Sequence, residues 1–301
     1  MKVAILIPIF NGLYFTKKAL EGIFIQLEKL DDNSVGFQVI VIDDGSSDGS
    51  GDWIRANYPQ VQITEGDGNL WWSGSINKGA KFAFNDKEIT HVLWWNNDIV
   101  PAKDYFKNLS EIIKKSEEKL IAGSKIYMAE TPDEIWAMGG EFDPVKGKKE
   151  MLAFHVKDSP QYQSVIDVHW LPGMGTLVPK KAFDEIGFLD DVNFPQYHGD
   201  SDYTYRAFRN GFKIKVFPQL KIYNTTGNTG MKYPETFGQL RESMRSLRSN
   251  YNLKKDLKFY KIHSQSPVAY QVLLKKYFEY TGGFFKWKVL GAIGIERKEK
   301  L

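Results

Sequence analysis

The stretch LWWNNDIVP (93–101) runs an apolar segment into Asn96, Asn97 and Asp98, then returns to apolar residues. A turn accounts for the amides. A lone carboxylate between two apolar segments also suits a hard divalent cation such as Mg²⁺ or Mn²⁺, often held by one or two carboxylates plus substrate phosphates. Taken alone, the turn is the stronger account. VIVIDDGSSDGS (39–50) ends its apolar run in the same way. Asp43 and Asp44 can accept hydrogen bonds from a base or from ribose hydroxyls, and Gly45 and Ser46 let a ligand approach the backbone. An Asx turn leading into a helix near Asp52 explains the same residues equally well. In HGDSDYTYR (198–206), Asp200 and Asp202 precede a helix. One can cap it, which leaves the other as a general base toward a hydroxyl. His198 beside them is an alternative base or metal ligand, although a lone histidine is more often structural. In GNLWWSGSINKG (68–79), the adjacent indoles of Trp71 and Trp72 point to different faces. Gly74, Ser75 and Asn77 follow at a helix start that suits an anion or phosphate.

Hydrophobic periodicity supplies the elements that must carry these residues. KVAILIPIF (2–10) predicts a buried strand ending in a turn at Asn11-Gly12. Residues 16–30 have helical spacing, with Thr16 as a candidate cap. A second strand ends at the Asp43–Ser50 turn, followed by a helix over 52–58, a strand in VQITEG (61–66), a helix over 75–85, a strand in THVLWWNND (90–98) and a helix over 104–117. Strands alternating with helices, with polar turns at the strand C-terminal ends, predict a parallel sheet covered on both faces. Ligands bind such sheets outside the carboxyl ends of the strands, where Asn11, Asp43, Asn69 and Asp98 fall. Beyond residue 120 the pattern is mixed, with strands in IAGSKIYM and WAMGGEFDP, then a strand, a tight Pro-Gly turn, a strand and a helix across 167–190. A helix stops at Gly211, and FKIKVFPQLKIYN (212–224) predicts two short strands. The expected organisation is one domain over 1–235, split near 118, and a helical extension over 236–301.

Apolar residues make up 42% and charged residues 26%, which is an ordinary globular composition with material for a sizeable core. The absence of cysteine excludes disulfides, thiolate zinc sites and cysteine nucleophiles, and it fits a reducing compartment. The N-terminal apolar run is too short for a signal peptide, and no stretch approaches a membrane span. These features predict a cytoplasmic protein. The net charge of +3 hides an asymmetry: from Arg241 onward 14 Lys and Arg face 5 Asp and Glu, whereas the rest has 26 against 32. A basic tail containing YFEYTGGFFKWKVLGAIG (277–294) suggests a segment at an anionic lipid surface, against a plain solvated helical face. Basic residues confined to the tail, with no recognised module, argue against nucleic acid as a partner. No dinucleotide fingerprint follows the first strand, GSINKGA lacks the end of a phosphate loop, and neither G-x-S-x-G nor H-E-x-x-H occurs.

Taken in order, VAILIPIFNG, VIVIDDGSSDGS, GNLWWSGSINKGAKFA, VLWWNNDIVP, WLPGMGTLVPKKAFDEIGFLD and YHGDSDYTYRAFRNGFKI resemble the family 2 glycosyltransferases of the GT-A fold, over roughly residues 3 to 230. The resemblance implies an α/β fold with a mostly parallel central sheet flanked by helices, a nucleotide-binding first half and a mixed acceptor half. It implies an inverting transfer from a UDP- or dTDP-sugar to a saccharide or lipid-linked saccharide acceptor, similar to bacterial enzymes that add rhamnose or galactofuranose during surface polysaccharide assembly. Nucleotide contacts would come from Pro8, Phe10, Asn11, Asp43 or Asp44, Ser46, Asn69, Trp72, Asn77 and Asn97. Asn96, Asn97 and Asp98 occupy the family's D-x-D position, of which only the last acid remains, so Asp98 would hold Mg²⁺ or Mn²⁺ with the phosphates. Asp200 matches the catalytic base, while Gly199 stands where the family often has a second acid. Asn224 falls about where many members carry a metal-binding histidine. Trp71, Trp170, Leu171, Gly173, Met174, His198, Asp202 and Arg206 would line the donor and acceptor pocket, the three indoles being candidates for stacking on sugar faces.

Two rivals stand beside this expectation. A sugar-1-phosphate nucleotidyltransferase would show a glycine-rich basic loop after the first strand, which IPIFNGLYF does not. A sugar-nucleotide-binding protein without activity would fit the thinned acid motifs.

Overall fold

The computed structural model describes residues 1–31, 34–225, 231–293 and 295. The chain divides into two compact units, Met1–Glu141 with Glu150–Gly227, and Phe142–Lys149 with Asn228–Leu301. The transfer of 142–149 to the second unit has no counterpart in the sequence pattern.

The first unit begins with β1 (Lys2–Ile9), α1 (Leu13–Leu27), β2 (Gly36–Asp43), α2 (Ser50–Asn57), β3 (Gln62–Glu65), α3 (Trp71–Ala83), β4 (Ile89–Trp94), β5 (Ile99–Pro101) and α4 (Tyr105–Lys115). It continues with β6 (Leu120–Met128) and β7 (Glu134–Ala137). A hairpin of β8 (Gly140–Asp143) and β9 (Lys148–Met151) follows in the chain, its tip, 142–149, belonging to the second unit, then the short β10 (Val156–Lys157) and β11 (Ile166–Asp167). The unit closes with β12 (Thr176–Pro179), α5 (Lys180–Ile186), α6 (Gly199–Arg209) and β13 (Lys213–Asn224). Strands β3, β2, β1 and β4 pair in parallel. β1 shows why its sequence is an unbroken apolar run: Val3, Ile5 and Ile7 enter one core with Leu20, Ile23, Phe106 and Leu109, while Ala4 and Leu6 enter the opposite core with Ile76, Ala80, Ala182 and Tyr203. Both faces are covered, so both phases of the period-2 pattern must be apolar.

Several boundaries differ from the sequence expectation. Thr16 is not a cap. Helix α1 starts at Leu13 after Gly12, and the Thr16 hydroxyl, buried inside the first turn, donates back to the Gly12 carbonyl at 2.9 Å. Helix α3 starts four residues early, at Trp71, because Asp44 holds its N-terminal amides. Strand β12 lies between β4 and β6, antiparallel to both. The expected strand around 167–171 contracts to Ile166–Asp167 plus a bridge between Gly140 and Trp170. The two strands expected in 212–224 form one 12-residue strand, β13. Its pairing with β6 shifts register between Phe217 and Lys221, around Pro218, which has no amide to donate to the ladder.

The second unit holds α7 (Phe237–Ser243), α8 (Leu253–His263) and α9 (Ala269–Ala292). Thr236 and Gln239 close a capping box on α7, and the Asn252 side chain caps α8. Leu240, Tyr280 and Phe284 form one of its apolar clusters, with Tyr251 stacked on Tyr280 at 3.7 Å. Asp256 is buried and accepts from the Lys276 ammonium at 2.6 Å and the Tyr277 hydroxyl at 2.8 Å. The Tyr260 hydroxyl donates to the Gly147 carbonyl, and Phe142 packs edge-on against Phe259. Among the described residues, no helix is long and apolar enough to cross a membrane.

Candidate functional site

The loops after β1, β2 and β4 meet at the carboxyl edge of the parallel strands. Asn11, in a left-handed conformation at φ 51°, accepts from the Ser47 amide at 2.8 Å, and its own amide donates to the Ser46 hydroxyl at 3.0 Å. Asp48 accepts from the Leu13 amide at 2.8 Å and from the Ser50 hydroxyl at 2.6 Å. Desolvation pushes its carboxyl up, but these hydrogen bonds outweigh it and hold the group below its ordinary value. The result is a stitched rim from which Phe10 projects into solvent, above Pro8 at the strand end. Asp43 accepts a single hydrogen bond, from the Ser46 amide at 2.8 Å, so one carboxylate oxygen remains available beside Gly51.

At the end of β4 the three polar residues face different neighbours. Asn97 donates to the Thr16 hydroxyl at 3.1 Å and lies over Gly12, where a Cβ would meet its amide nitrogen at 2.7 Å. Asn96 accepts from the Trp72 indole at 2.9 Å. Asp98 is held by its backbone, since its carbonyl accepts from the Thr225 amide at the end of β13. Its Oδ1 is buried with no hydrogen-bond partner. Burial pushes the Asp98 carboxyl up to about 6. A desolvated carboxylate lacking a donor is stabilised by a cation. Among the described residues no cluster of three or more acidic, histidine or cysteine side chains surrounds such an ion. The donor set therefore fits a divalent cation held by Asp98 and completed by ligand phosphates, the usual pattern for Mg²⁺. Asn224, buried at the end of β13, pairs in register with Ile99 and stands one residue from the Asp98 contact. The stretch 226–230 lies outside the described residues.

A chain of contacts runs from this edge to the start of α6. Trp72 packs edge-on against Trp94 and presses on Gly173, where a Cβ would come within 2.1 Å of the ring. Only glycine fits there. The Gly173 amide donates to Asp200 Oδ2 at 2.9 Å, and the Ser201 amide donates to Asp200 Oδ1 at 2.7 Å. Each oxygen of this partly exposed carboxylate keeps a lone pair free. Thr204 donates to the Asp200 carbonyl and accepts from the Leu171 amide, which ties the 171–173 turn to the helix. His198 precedes α6 at φ 69°, and its ring lies against Phe194. Gly199 has no room for a side chain: a Cβ would sit 2.0 Å from the Ser73 hydroxyl, which is itself bound to the Phe194 carbonyl. Close packing thus replaces the second acid. Trp71 is half-buried at φ 56°, a conformation unusual for an aromatic residue, and Asn69 is exposed beside it.

Several candidates are used inside the scaffold. Asp44 accepts from the amides of Gly68, Leu70 and Trp71, so it organises the loop before α3 and has little capacity left for ribose. Asn77 is buried, exchanges hydrogen bonds with the Leu189 backbone and donates to Asp191. It pins a distant loop and is not free to meet a phosphate. Asp202 pairs with Arg206 at 2.9 Å, and that guanidinium also donates to the Ile186 and Phe188 carbonyls. The pair anchors α6 and does not line a pocket. Trp170 is buried, with its indole donating to the Glu141 carbonyl, and Leu171 fills the space over Gly123. Both support the turn from beneath, as does the buried Met174, so Trp170 cannot stack on a sugar. Sequence analysis missed Asp48, Ser73, Thr204 and Thr225, and also Gln196, whose side-chain oxygen accepts from the Trp72 amide at 3.3 Å. Of these, Asp48 alone had a local signal, the Asp-Gly-Ser that closes the β2 turn.

A parallel half with polar strand ends and an antiparallel strand, β12, inserted beyond it make up an α/β fold of the GT-A type. Residues 4–173, more than half of the chain, match the family model described as glycosyl transferase family 2, and the chain belongs to that family. It is 22% identical over 217 residues to an uncharacterised glycosyltransferase of Rickettsia conorii, covering 69% of this chain and 31% of that one. It is also 22% identical over 185 residues to the low-salt glycan biosynthesis hexosyltransferase of Haloferax volcanii, covering 59% and 55%. The chain thus spans about a third and about half of the lengths of these curated relatives. Among solved structures, GalNAc-T7 with UDP, GalNAc and Mn²⁺ superposes with a TM-score of 0.57 at 13% identity, over 94% of this chain and 58% of that one. The mannosyltransferase PcManGT from Pyrobaculum calidifontis, in complex with GDP-Man and Mn²⁺, gives 0.55 at 13% identity, over 98% and 76%. TarS of S. aureus gives 0.52 at 15% identity, over 88% and 73%.

Proposed function

We propose that this glycosyltransferase moves a sugar, with inversion, from a UDP- or dTDP-sugar to a hydroxyl of a saccharide or lipid-linked saccharide during bacterial polysaccharide assembly, on the cytoplasmic side. The observation that carries the proposal is Asp200, fixed by two backbone amides at the mouth of the turn that Trp72 and Gly173 form, with lone pairs to spare. Support for the donor class comes from the similar structures solved with UDP and with GDP-Man. Support for glycan assembly comes from the Haloferax relative.

The β1 and β2 loops, with Phe10, Asn11, Asp43 and Ser46, receive the base and ribose. Asp98 and the donor phosphates would hold a divalent cation, which supplies charge stabilisation to the leaving diphosphate. Asp200 takes the proton from the acceptor hydroxyl as its oxygen bonds to the anomeric carbon, and the bond from that carbon to the diphosphate breaks on the opposite face. Attack and departure on opposite faces invert the configuration. Trp71 and Trp72 offer ring surface to the sugar.

The test is nucleoside diphosphate release from UDP- and dTDP-sugars with trial acceptors, with and without Mn²⁺ or Mg²⁺, for the wild type, Asp200→Asn and Asp98→Ala. Release that requires metal and collapses in both variants is expected. Donor binding without release in any condition would instead assign a sugar-nucleotide-binding protein, as Gly199 in place of a second acid would allow.

A further inference from the structure

Helix α9 is apolar on two opposite faces. Leu273, Tyr280 and Phe284 are buried in the second unit. On the far side, Leu274, Phe278, Phe285 and Val289 recur at spacings of four, seven and four, and stand 70%, 79%, 52% and 65% exposed. A helix with two apolar stripes normally has both covered, and the fold of this unit covers one of them. Phe285 meets Phe237 at 5.8 Å, and Phe237 is the lip of a groove of about 560 Å³ between α7 and α8. Leu240, Met244, Leu253 and Leu257 line that groove. Stripe and groove therefore share an edge and form one apolar surface.

The charge around this surface is mostly positive, the exceptions on these helices including Glu242 on α7 and Glu279, 3.8 Å from Lys275, on α9. Arg241, Arg245 and Lys254 are exposed on the groove rim, and no acidic partner engages any of them among the described residues. Lys275 and Lys288 flank the stripe, long enough to keep their ammonium groups in water while their stems cover apolar ground. We propose that this surface docks on the headgroup layer of an anionic phospholipid bilayer, with α9 lying in the interface plane. Leu274, Phe278, Phe285 and Val289 enter the acyl boundary, and Arg241, Arg245 and Lys254 meet lipid phosphates. A second copy of this chain is the poorer occupant, because it would bring two strongly basic surfaces together. The proposal rests on the C-terminal unit alone and stands or falls separately from the sugar chemistry.

Flotation of the full chain with phosphatidylcholine vesicles, with and without phosphatidylglycerol, tests it. Binding should require phosphatidylglycerol and fall with added salt. It should weaken about a hundredfold in Arg241→Glu/Arg245→Glu and by a similar factor in Phe278→Ser/Phe285→Ser. Thermal melts confirm that these surface variants remain folded, and nucleoside diphosphate release with a soluble acceptor should be unchanged in both. Absence of binding to anionic vesicles overturns the proposal, as does equal binding to neutral ones or binding indifferent to Phe278→Ser/Phe285→Ser. A concentration-dependent dimer that Phe278→Ser/Phe285→Ser disperses, without vesicle binding, would assign the surface to a second copy.

Discussion

The ends of β2 and β4 look alike in sequence and are opposites in structure. At the first, Asp44 accepts from three backbone amides, two of them on one oxygen. At the second, Asp98 has a buried oxygen with no donor at all. A carboxylate whose lone pairs are mostly filled by its own chain is part of the scaffold. One held by its backbone with an unfilled oxygen is left for a ligand. Asp200 lies between the two: two amides fix it, and two lone pairs remain. The largest expected effect tests that middle case. Asp200→Asn keeps the shape and one acceptor oxygen but removes the base and turns an NH2 toward one of the two backbone amides, so kcat should fall by about a thousandfold at a stability cost of only about 1 kcal/mol. A loss of stability comparable in free energy to the loss of rate would mean that Asp200 is scaffold, like Asp44.

Asp44→Ala should separate the two strand ends in the other direction. It removes the buried acceptor of three amides in a half-exposed loop, and each group left unsatisfied costs about 1 kcal/mol or more. We expect a loss of about 3 kcal/mol in urea unfolding, with early proteolysis between β3 and α3. Donor affinity should fall only as far as the loop loosens. A stable Asp44→Ala protein that has lost nucleotide binding would reverse the assignment and make Asp44 the ribose contact.

Gly199→Ala is expected to be somewhat milder. The added methyl meets the Ser73 hydroxyl at 2.0 Å, and that hydroxyl is committed to the Phe194 carbonyl. Overpacking of this kind costs about 2 kcal/mol. Pairing it with Ser73→Gly should recover part of the loss, since the obstructing atom is then gone. If Gly199→Asp is tolerated and raises turnover, the missing acid is a functional loss and not a packing requirement.

What the sequence disclosed follows from how local each signal is. The parallel half was legible because each strand is a short apolar run closed by a polar turn, as in Ile40–Val41–Ile42–Asp43. The parallel sheet and the position of Asp98 at a strand end follow from that order, whereas the GT-A fold and the role expected of Asp200 came from the resemblance of the ordered motifs to family 2 glycosyltransferases. The rest depended on distance. Asn77 meets Leu189 across more than a hundred residues, so a helix-start amide that looked free was already bound. Trp170 looked like a sugar platform until the 140–141 backbone covered it. The single strand β13 was hidden by Pro218, which breaks its pairing with β6 without ending the strand. Periodicity reports which face is apolar, and it cannot report which distant backbone group a polar side chain has already found.

The smallest effect tests the unpaired state of Asp98 directly, through pH. Strand β4 has an ionisable group held toward neutrality at each end. Desolvation lowers His91, at the β4–β12 pairing, from 6.5 to about 4, and raises Asp98, beyond the other end, from 3.8 to about 6. Their consequences have opposite signs. Between pH 4 and 6.5 the unfolded chain protonates His91 while the folded chain does not, so this group makes stability rise with pH. Between pH 3.8 and 6 the folded chain keeps the Asp98 proton that the unfolded chain has released, so this group makes stability fall with pH. Each is worth on the order of 2 kcal/mol after allowance for solvent, and in metal-free protein the two slopes largely cancel from pH 4 to 6. Relative to the wild type, urea midpoints across that window should therefore rise more steeply with pH in Asp98→Asn and less steeply in His91→Gln. Asp98→Asn should also be the more stable protein at pH 8, because it no longer carries a buried charge without a partner. A profile in Asp98→Asn that matches the wild type's would show that water or a donor already satisfies the carboxylate. The contrast between the ends of β2 and β4 would then be one of degree, and the case for a cation at Asp98 would lose its physical basis.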